Sequence, residues 1–321
     1  MKNLFKAKKV KVFSPASVSN VGCGFDIFGF ALHQPGDELV MRIVDKPGIH
    51  ITKITGDEHH LPRDAKKNTA AVSLRAMMNA LEPKFGVEME LHKKMPLGSG
   101  LGSSAASAVA SVFALNVLLK KPFSKNDLLL FALEGEKIAS GNIAHADNVA
   151  PCLYGGFTLV RGCNPPDVIS IPVPDDLYCT IIHPHIEIKT EFARRILRSQ
   201  IKLSDAVKQW GNAAALVVGL MKPDYELIKR SIEDYIIEPI RGSLIPNYFL
   251  LKETALKNNA LGCSISGSGP SVFALSRSEK EAKLIGTEMK KVFTKIKLKS
   301  DTFISKINYE GPKIISISDN T

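Results

Sequence analysis

The chain has 321 residues, 45% hydrophobic and 23% charged, with 42 Lys and Arg against 32 Asp and Glu, a formal charge of +10. This is the composition of a folded globular protein with room for one or two domains, and it excludes a disordered or low-complexity chain. No apolar run reaches the roughly 18 residues of a membrane span, and the first residues, Met1 to Lys6, lack the apolar core of a signal peptide. Five cysteines, an odd number with no metal-ligand spacing, read as reduced thiols of a cytoplasmic protein. Lysines gather at Lys6, Lys8, Lys9 and Lys11 and again at Lys290, Lys291, Lys295, Lys297 and Lys299. The second group interleaves with Val292, Phe293, Ile296 and Leu298, as a solvated face over an apolar one does. No stacking platform or recognition helix accompanies it, so neither nucleic acid nor a membrane is expected as a partner.

In chain order, the first expected strands cover 9–13, 38–44 and 49–54, with Gln34-Pro35-Gly36-Asp37 as a turn. Residues 14–26 between them read as a long polar loop. Residues 68–81 place Val72, Leu74, Met77, Met78 and Leu81 at helical spacing and stop before Pro83. Residues 87–91 alternate like a half-buried strand, and from Ser103 to about residue 120 the sequence predicts a helix apolar nearly all round, hence buried. Ser124 and Asp127 resemble a capping box opening a helix that ends near 140. The Gly, Pro and Asn-rich stretch 161–167 is the expected junction, giving domains 1–163 and 164–321. Beyond it lie a strand at 178–182, helices at 191–197, 206–221, 225–236 and 247–257, and strands at 263–265 and 271–275. A helix at 279–293 and a strand at 302–308 follow. Strands and helices do not alternate strictly, so the fold class is α+β.

Residues 96–110 carry the strongest chemical signal. Gly98, Gly100 and Gly102 alternate with small residues and pass directly into the buried helix, where Ser103 and Ser104 stand at the positive end of the dipole. Strand, glycine loop and helix form a phosphate cradle. No Lys-Ser or Lys-Thr pair follows the last glycine, as a Walker loop requires. The dinucleotide spacing G-x-G-x-x-G fails at Ser103, and no nucleophile elbow is present. A flexible linker is the simpler alternative; Pro96 ahead and the immediate helix start argue against it. Three more segments combine small and polar residues: Ser14 to Asp26, His145 to Pro151, and Ser266 to Pro270.

Together these motifs resemble those of the GHMP small-molecule kinases. Asn20 to Asp26, His145 to Pro151, Lys189-Thr190 with Arg194, and Glu238-Pro239 with Arg241 and Pro246 resemble the homoserine kinase branch. The resemblance runs from about Val10 to the last strand. It implies a two-domain α+β fold, an N-terminal ATP-binding domain like ribosomal protein S5 domain 2 and a ferredoxin-like C-terminal domain. It also implies ATP-dependent phosphorylation of the L-homoserine hydroxyl in threonine biosynthesis, and a homodimer. The alternatives are another GHMP kinase with a different alcohol acceptor, or a non-catalytic RNA-binding module with an S5-like domain.

Residue by residue, the resemblance implies that Pro96, Leu97, Gly98, Ser99, Gly100, Leu101, Gly102, Ser103 and Ser104 wrap the triphosphate and that Asn68 lies near the adenosine. Ser104 would also help hold Mg²⁺. For the acidic partner, Glu134 has Lys137 three residues on, whereas Glu136 shares a face with Leu129, Ala132 and Leu133 and needs a partner such as a metal; the resemblance also favours Glu136. Arg194 and Arg241 would grip the substrate carboxylate. Asp26 would take the ammonium, with Asn20, His145, Asn148 and Gly267 around them. Related kinases that accept mevalonate carry Lys where Ser17 stands and Asp where Asn148 stands. Without that pair, catalysis is expected to rest on positioning and electrostatics, with Asn148, Thr190 and, as fallback base, Asp147 near the reacting hydroxyl.

Overall fold

The computed structural model describes residues 5–139 and 145–319. Its first half runs β1 (Lys9–Ser19), β2 (Phe28–Val44), β3 (Gly48–Thr55), α1 (Thr69–Leu81), β4 (Gly86–His92), α2 (Ser103–Leu118), α3 (Lys125–Ala139), α4 (Ala146–Tyr154), β5 (Phe157–Cys163) and β6 (Pro166–Ile171). The second half runs β7 (Tyr178–Pro184), α5 (Thr190–Arg195), α6 (Leu203–Met221), α7 (Tyr225–Ser231), α8 (Glu238–Arg241), α9 (Tyr248–Lys257), β8 (Gly262–Ile265), β9 (Val272–Ser276), α10 (Glu279–Lys295), β10 (Ser300–Lys306) and β11 (Lys313–Ser318).

Two sheets organise these elements. A seven-stranded sheet follows the order β11-β1-β2-β4-β3, with the β5–β6 hairpin attached to β2; only β3 and β4 pair in parallel. A four-stranded antiparallel sheet follows β10-β7-β9-β8 and carries α9 and α10. A bridge between Leu32 of β2 and Ile307, just past β10, ties the two together.

α2 fills the centre of the first unit. Of its 16 residues 14 are buried, because Ala and Ser on every face let β1, β2, α1, α3 and α4 approach closely. Its N-terminus is thereby fixed at the mouth of the cleft between the sheets. α1 begins at Asn68, whose side chain accepts from the Ala70 amide, and ends at Glu82 in the left-handed region.

The structure redraws three sequence expectations. β1 does not stop at Phe13 but continues to Ser19, pairing with residues 29–31 of β2 after a bulge. Gln34 to Asp37 is not a turn between strands; it lies inside the 17-residue β2, since the bulge opposite Gly36 absorbs the irregularity. Residues 161–167 form the end of the β5–β6 hairpin within the first sheet, so the chain leaves that sheet after Ile171. The expected end of the 124–140 helix falls partly outside the described residues.

Candidate active site

The glycine loop is held from both sheets. Ser17 of β1 donates its amide to the Leu101 carbonyl at 3.1 Å, the Ser266 hydroxyl donates to the Gly100 carbonyl at 2.7 Å, and the Ser271 amide donates to the Ser99 carbonyl at 3.1 Å. Such fixation needs glycine. A Cβ on Gly100 would stand 2.3 Å from the Ser266 carbonyl oxygen, and one on Gly102 would stand 2.1 Å from the Ser17 hydroxyl; both residues have φ above +60°. Gly102 is also the N-cap of α2 and offers no side chain to the first amides. Those amides and the dipole are left for an anion.

Beneath the loop lies a buried ion pair that sequence reading missed. Lys93, 7% exposed, donates to Asp37, to the Ser103 carbonyl at 2.9 Å and to the Ser107 hydroxyl at 2.7 Å. Asp37 also accepts the Lys94 and Met95 amides at 2.8 and 3.1 Å and the Ser103 hydroxyl at 3.1 Å. The carboxylate thus fastens both ends of the loop. A signal existed: Lys93 falls in phase with the buried Val87, Met89 and Leu91 of β4, where a charge needs a partner.

His183 supports the same loop from the other sheet. Its Nδ1 lies 3.1 Å from the hydroxyl of Ser271, the same residue whose amide binds the Ser99 carbonyl. Burial, with a contribution from His185, pushes the imidazole down to about 4. Its folded value lies below the ordinary 6.5, so the stability it confers is full above pH 6.5 and is lost as pH falls towards 4. Urea unfolding should show the wild type losing about 2 kcal/mol more than His183→Asn across that window; parallel pH profiles would refute the assignment.

On the metal side, the Ser104 hydroxyl at the start of α2 meets Glu136 Oε1 of α3 at 3.2 Å. Glu136 is 5% exposed, and burial, reinforced by Asp147, pushes its carboxyl up to about 7. Glu134 instead points outward and pairs with Lys137 at 2.6 Å. A buried carboxylate beside a hydroxyl, at the positive end of a helix, is a hard-oxygen donor set that fits Mg²⁺.

The polar residues that flank the loop converge on its far side. Asn20 accepts the Asp26 amide at 2.8 Å and donates to the Gly267 carbonyl at 2.8 Å. Arg194 Nη2 reaches both oxygens of Asp26 at 2.7 and 2.8 Å and lies 3.3 Å from His145 Nδ1. Burial alone would raise the Asp26 carboxyl, but hydrogen bonds and charge from His145 and Arg194 outweigh it and hold the group below its ordinary value. Burial likewise opposes protonation of His145, and Asp26 and Asp147 overcome it. Asp147, buried and repelled by Asp26, is pushed up to about 6.

Arg241, 3% exposed, donates to the carbonyls of Ala193 at 3.1 Å and Gly267 at 3.2 Å. Burial and the neighbouring Arg194 push it down to about 10. Asp234 orients its short helix by accepting the amides of Ile236, Ile237 and Glu238. Gln209 of α6 links that turn to the Asn20–Asp26 loop by donating to Asp234 at 2.9 Å and to the Cys23 carbonyl at 3.0 Å.

The remaining sequence candidates have local partners. Asn148 donates to the Ser19 hydroxyl at 2.8 Å and accepts from Ser17 at 3.0 Å, so the two positions that hold a charged pair in mevalonate-accepting kinases are here in neutral contact. Thr190 lies 3.2 Å from the Ser268 hydroxyl. Asn68 is spent on Ala70 and on the Pro62 carbonyl; it shapes the 57–69 segment at the edge of the cleft. Residues 96–100 and 102–104 of the glycine loop, with Asn20, Asp26, Asn68, Glu136, His145, Asp147, Asn148, Thr190, Arg194, Arg241 and Gly267, line one cleft of about 1360 Å³; Leu101 does not, because its side chain is fully buried in the core beneath the loop.

Known proteins resemble the chain along nearly its whole length. Residues 68–156 match the family described as "GHMP kinases N terminal domain" and residues 216–295 that described as "GHMP kinases C terminal". A homoserine kinase of Chlorobium phaeobacteroides is 47% identical over 320 residues, 96% of this chain and 100% of the relative. The crystal structure of a homoserine kinase from Cytophaga hutchinsonii, 56% identical, superposes with a TM-score of 0.94 over 97% of this chain and 98% of that one. A mevalonate kinase of L. major in complex with R-mevalonate shares the fold at 17% identity, with a TM-score of 0.72 over 94% of this chain and 98% of that one.

Proposed function

The chain belongs to the GHMP kinases, within them to the homoserine kinases, and from that premise we propose how its residues divide the work. The reaction is ATP-dependent phosphorylation of the side-chain hydroxyl of L-homoserine, a step of threonine biosynthesis. The observation that carries the assignment of roles is the convergence of one carboxylate and two arginines, Asp26, Arg194 and Arg241, in the cleft that also holds the glycine loop. A zwitterionic α-amino acid has the complementary charges.

The triphosphate lies along residues 96–104, against the uncapped amides of α2. Ser104 and Glu136 hold Mg²⁺, which when bound neutralises charge on the phosphate oxygens. Arg194 and Arg241 take the substrate carboxylate and Asp26 takes the ammonium, as Arg194 releases its present hold on Asp26. His145, with its Nε2 lacking a hydrogen-bond partner among the described residues, and Asn148 flank the substrate hydroxyl. The neutral contact of Ser17 with Asn148 supplies no strong base. Positioning therefore carries the rate, and the hydroxyl proton leaves to the transferred phosphate or to water.

Among the described residues no helix is long and apolar enough to cross a membrane. We place the enzyme in the cytoplasm, supported by its five free thiols. We also propose a homodimer, supported by the apolar stripe of Leu203, Val207, Trp210 and Met221 that α6 leaves exposed.

A phosphorylation panel of L-homoserine, L-serine, L-threonine and R-mevalonate tests the substrate assignment. L-Homoserine should lead in kcat/KM by at least about a hundredfold. A preference for mevalonate would overturn the clamp.

A further inference from the structure

Arg194 and Arg241 come from separate short helices, yet both guanidinium groups lie over one ring. The Arg241 guanidinium carbon is 5.0 Å from the centroid of Phe25, and that of Arg194 is 5.3 Å away. The ring belongs to a tight turn held on both sides by hydrogen bonds. The Gly24 amide donates to the Val21 carbonyl at 3.1 Å, the Phe28 amide donates to the Gly24 carbonyl at 2.9 Å, and the Asp26 amide is held by Asn20. A Cβ on Gly24 would stand 2.1 Å from the Phe28 ring, so the turn packs closely on that ring. Phe25 is therefore held by its turn, and the two long arginine side chains are set against it.

Two guanidinium groups that converge on one point repel each other, and something must offset that repulsion while the cleft holds no substrate. An acidic side chain would do so, but it would compete with the substrate carboxylate for the same donors. The Asp26 carboxylate already answers Arg194, whereas Arg241 has only carbonyl oxygens among its hydrogen-bond partners and is attracted by Asp26, Asp147 and Asp234 without a direct hydrogen bond. An aromatic face attracts cations through its quadrupole within about 6 Å and carries no net charge. It stabilises the pair without taking up any of their N–H groups, so a substrate carboxylate competes only with the Asp26 oxygens on Arg194 and the Ala193 and Gly267 carbonyls on Arg241, and not with the ring.

We propose that Phe25 is a specificity-determining positioning residue, whose ring holds Arg194 and Arg241 at the spacing that one substrate carboxylate bridges. The proposal rests on the carboxylate clamp assigned above. It makes Phe25 matter for substrates with an α-carboxylate and not for the same amino alcohol without it.

The test compares wild type, Phe25→Leu, Phe25→Met, Phe25→Tyr and Arg241→Ala. KM is measured for L-homoserine and ATP, and 3-aminopropan-1-ol, which is homoserine without its carboxylate, is used as a competitive inhibitor. Phe25→Leu and Phe25→Met should raise the homoserine KM about tenfold, leave the ATP KM within about twofold and leave the inhibition constant of 3-aminopropan-1-ol unchanged. Phe25→Tyr, which keeps the aromatic face, should stay near wild type. An unchanged homoserine KM in either non-aromatic variant, with Arg241→Ala impaired, overturns the role of Phe25 and leaves the clamp standing. Equal weakening of 3-aminopropan-1-ol overturns it too, because a general disturbance of the turn would do the same. If Arg241→Ala binds homoserine as the wild type does, the clamp falls and the proposal with it.

Discussion

Glu136→Gln should lower kcat about a thousandfold while the protein melts at or above the wild-type temperature. The amide keeps the shape of the side chain and can still accept the Ser104 hydroxyl bond, now 3.2 Å long, so α2 and α3 need not move. What disappears is the negative charge at the start of α2, and with it the hard-anion ligand for Mg²⁺. Losing a preorganised electrostatic contact of this kind costs about 10² to 10³ in turnover. Burial already disfavours the charged form, whose carboxyl is pushed up to about 7, so a neutral replacement does not harm the fold. Glu134→Gln is the internal contrast: it disturbs only an exposed pair with Lys137 and should turn over within about twofold of wild type. Steady-state rates across a Mg²⁺ titration decide the matter. A Glu136→Gln enzyme within tenfold of wild type, or a crippled Glu134→Gln, would reverse the assignment.

Arg241→Ala should raise the KM for L-homoserine by about a hundredfold and leave that for ATP nearly unchanged. A charge-assisted contact to a carboxylate contributes about 1.5 to 3 kcal/mol, and the second donor of a forked pair adds to it. Arg241 also satisfies the carbonyls of Ala193 and Gly267, so truncation alone mixes binding with local support. Arg241→Lys separates the two: it keeps a cation at the site but not the planar fork, and should recover only part of the affinity. Initial-rate measurements with each substrate varied in turn provide the check. Equal rises in both Michaelis constants would show that the residue supports the cleft as a whole and does not grip the amino acid.

Much of this arrangement was legible in the residues, and the losses have identifiable causes. α1 and α2 were placed to within a few residues because a cap, a period and a terminator coincide at Asn68 to Pro83 and because the glycine loop ends abruptly in alanine. The choice of Glu136 over Glu134 followed from which helix face each shares, and the observed exposure of the two agrees with that reasoning. β1 was cut short because Ser14, Ser17 and Ser19 look like loop residues. They are buried in a strand and have partners 129 to 138 residues away in α4: Cys152 for Ser14, and Asn148 for Ser17 and Ser19. The Asp37–Lys93 pair was missed for the same reason, since a sequence shows Lys93 in a buried phase but not the carboxylate 56 residues earlier that meets it. Phe25 was invisible as a partner of the arginines, because an aromatic residue between Gly24 and Asp26 reads as ordinary packing until the positions of α5 and α8 are known. Local pattern found the donor loop; only tertiary pairing showed what holds it and what sets the clamp.

β11 pairs with β1 over residues 313–318 and 9–13, so a strand near the start of the chain waits for one about 300 residues later. At a synthesis rate of about 5 to 20 residues per second, the edge of β1 stays open for roughly 15 to 60 seconds on the ribosome. Throughout that interval Val10 and Val12 lie beside an unpaired row of amides and carbonyls, the feature that recruits foreign strands. The four lysines at 6, 8, 9 and 11 give that exposed edge a repulsive charge against other nascent copies. The N-terminal basic cluster thus has a use before the protein is finished: it guards a sheet that cannot yet close.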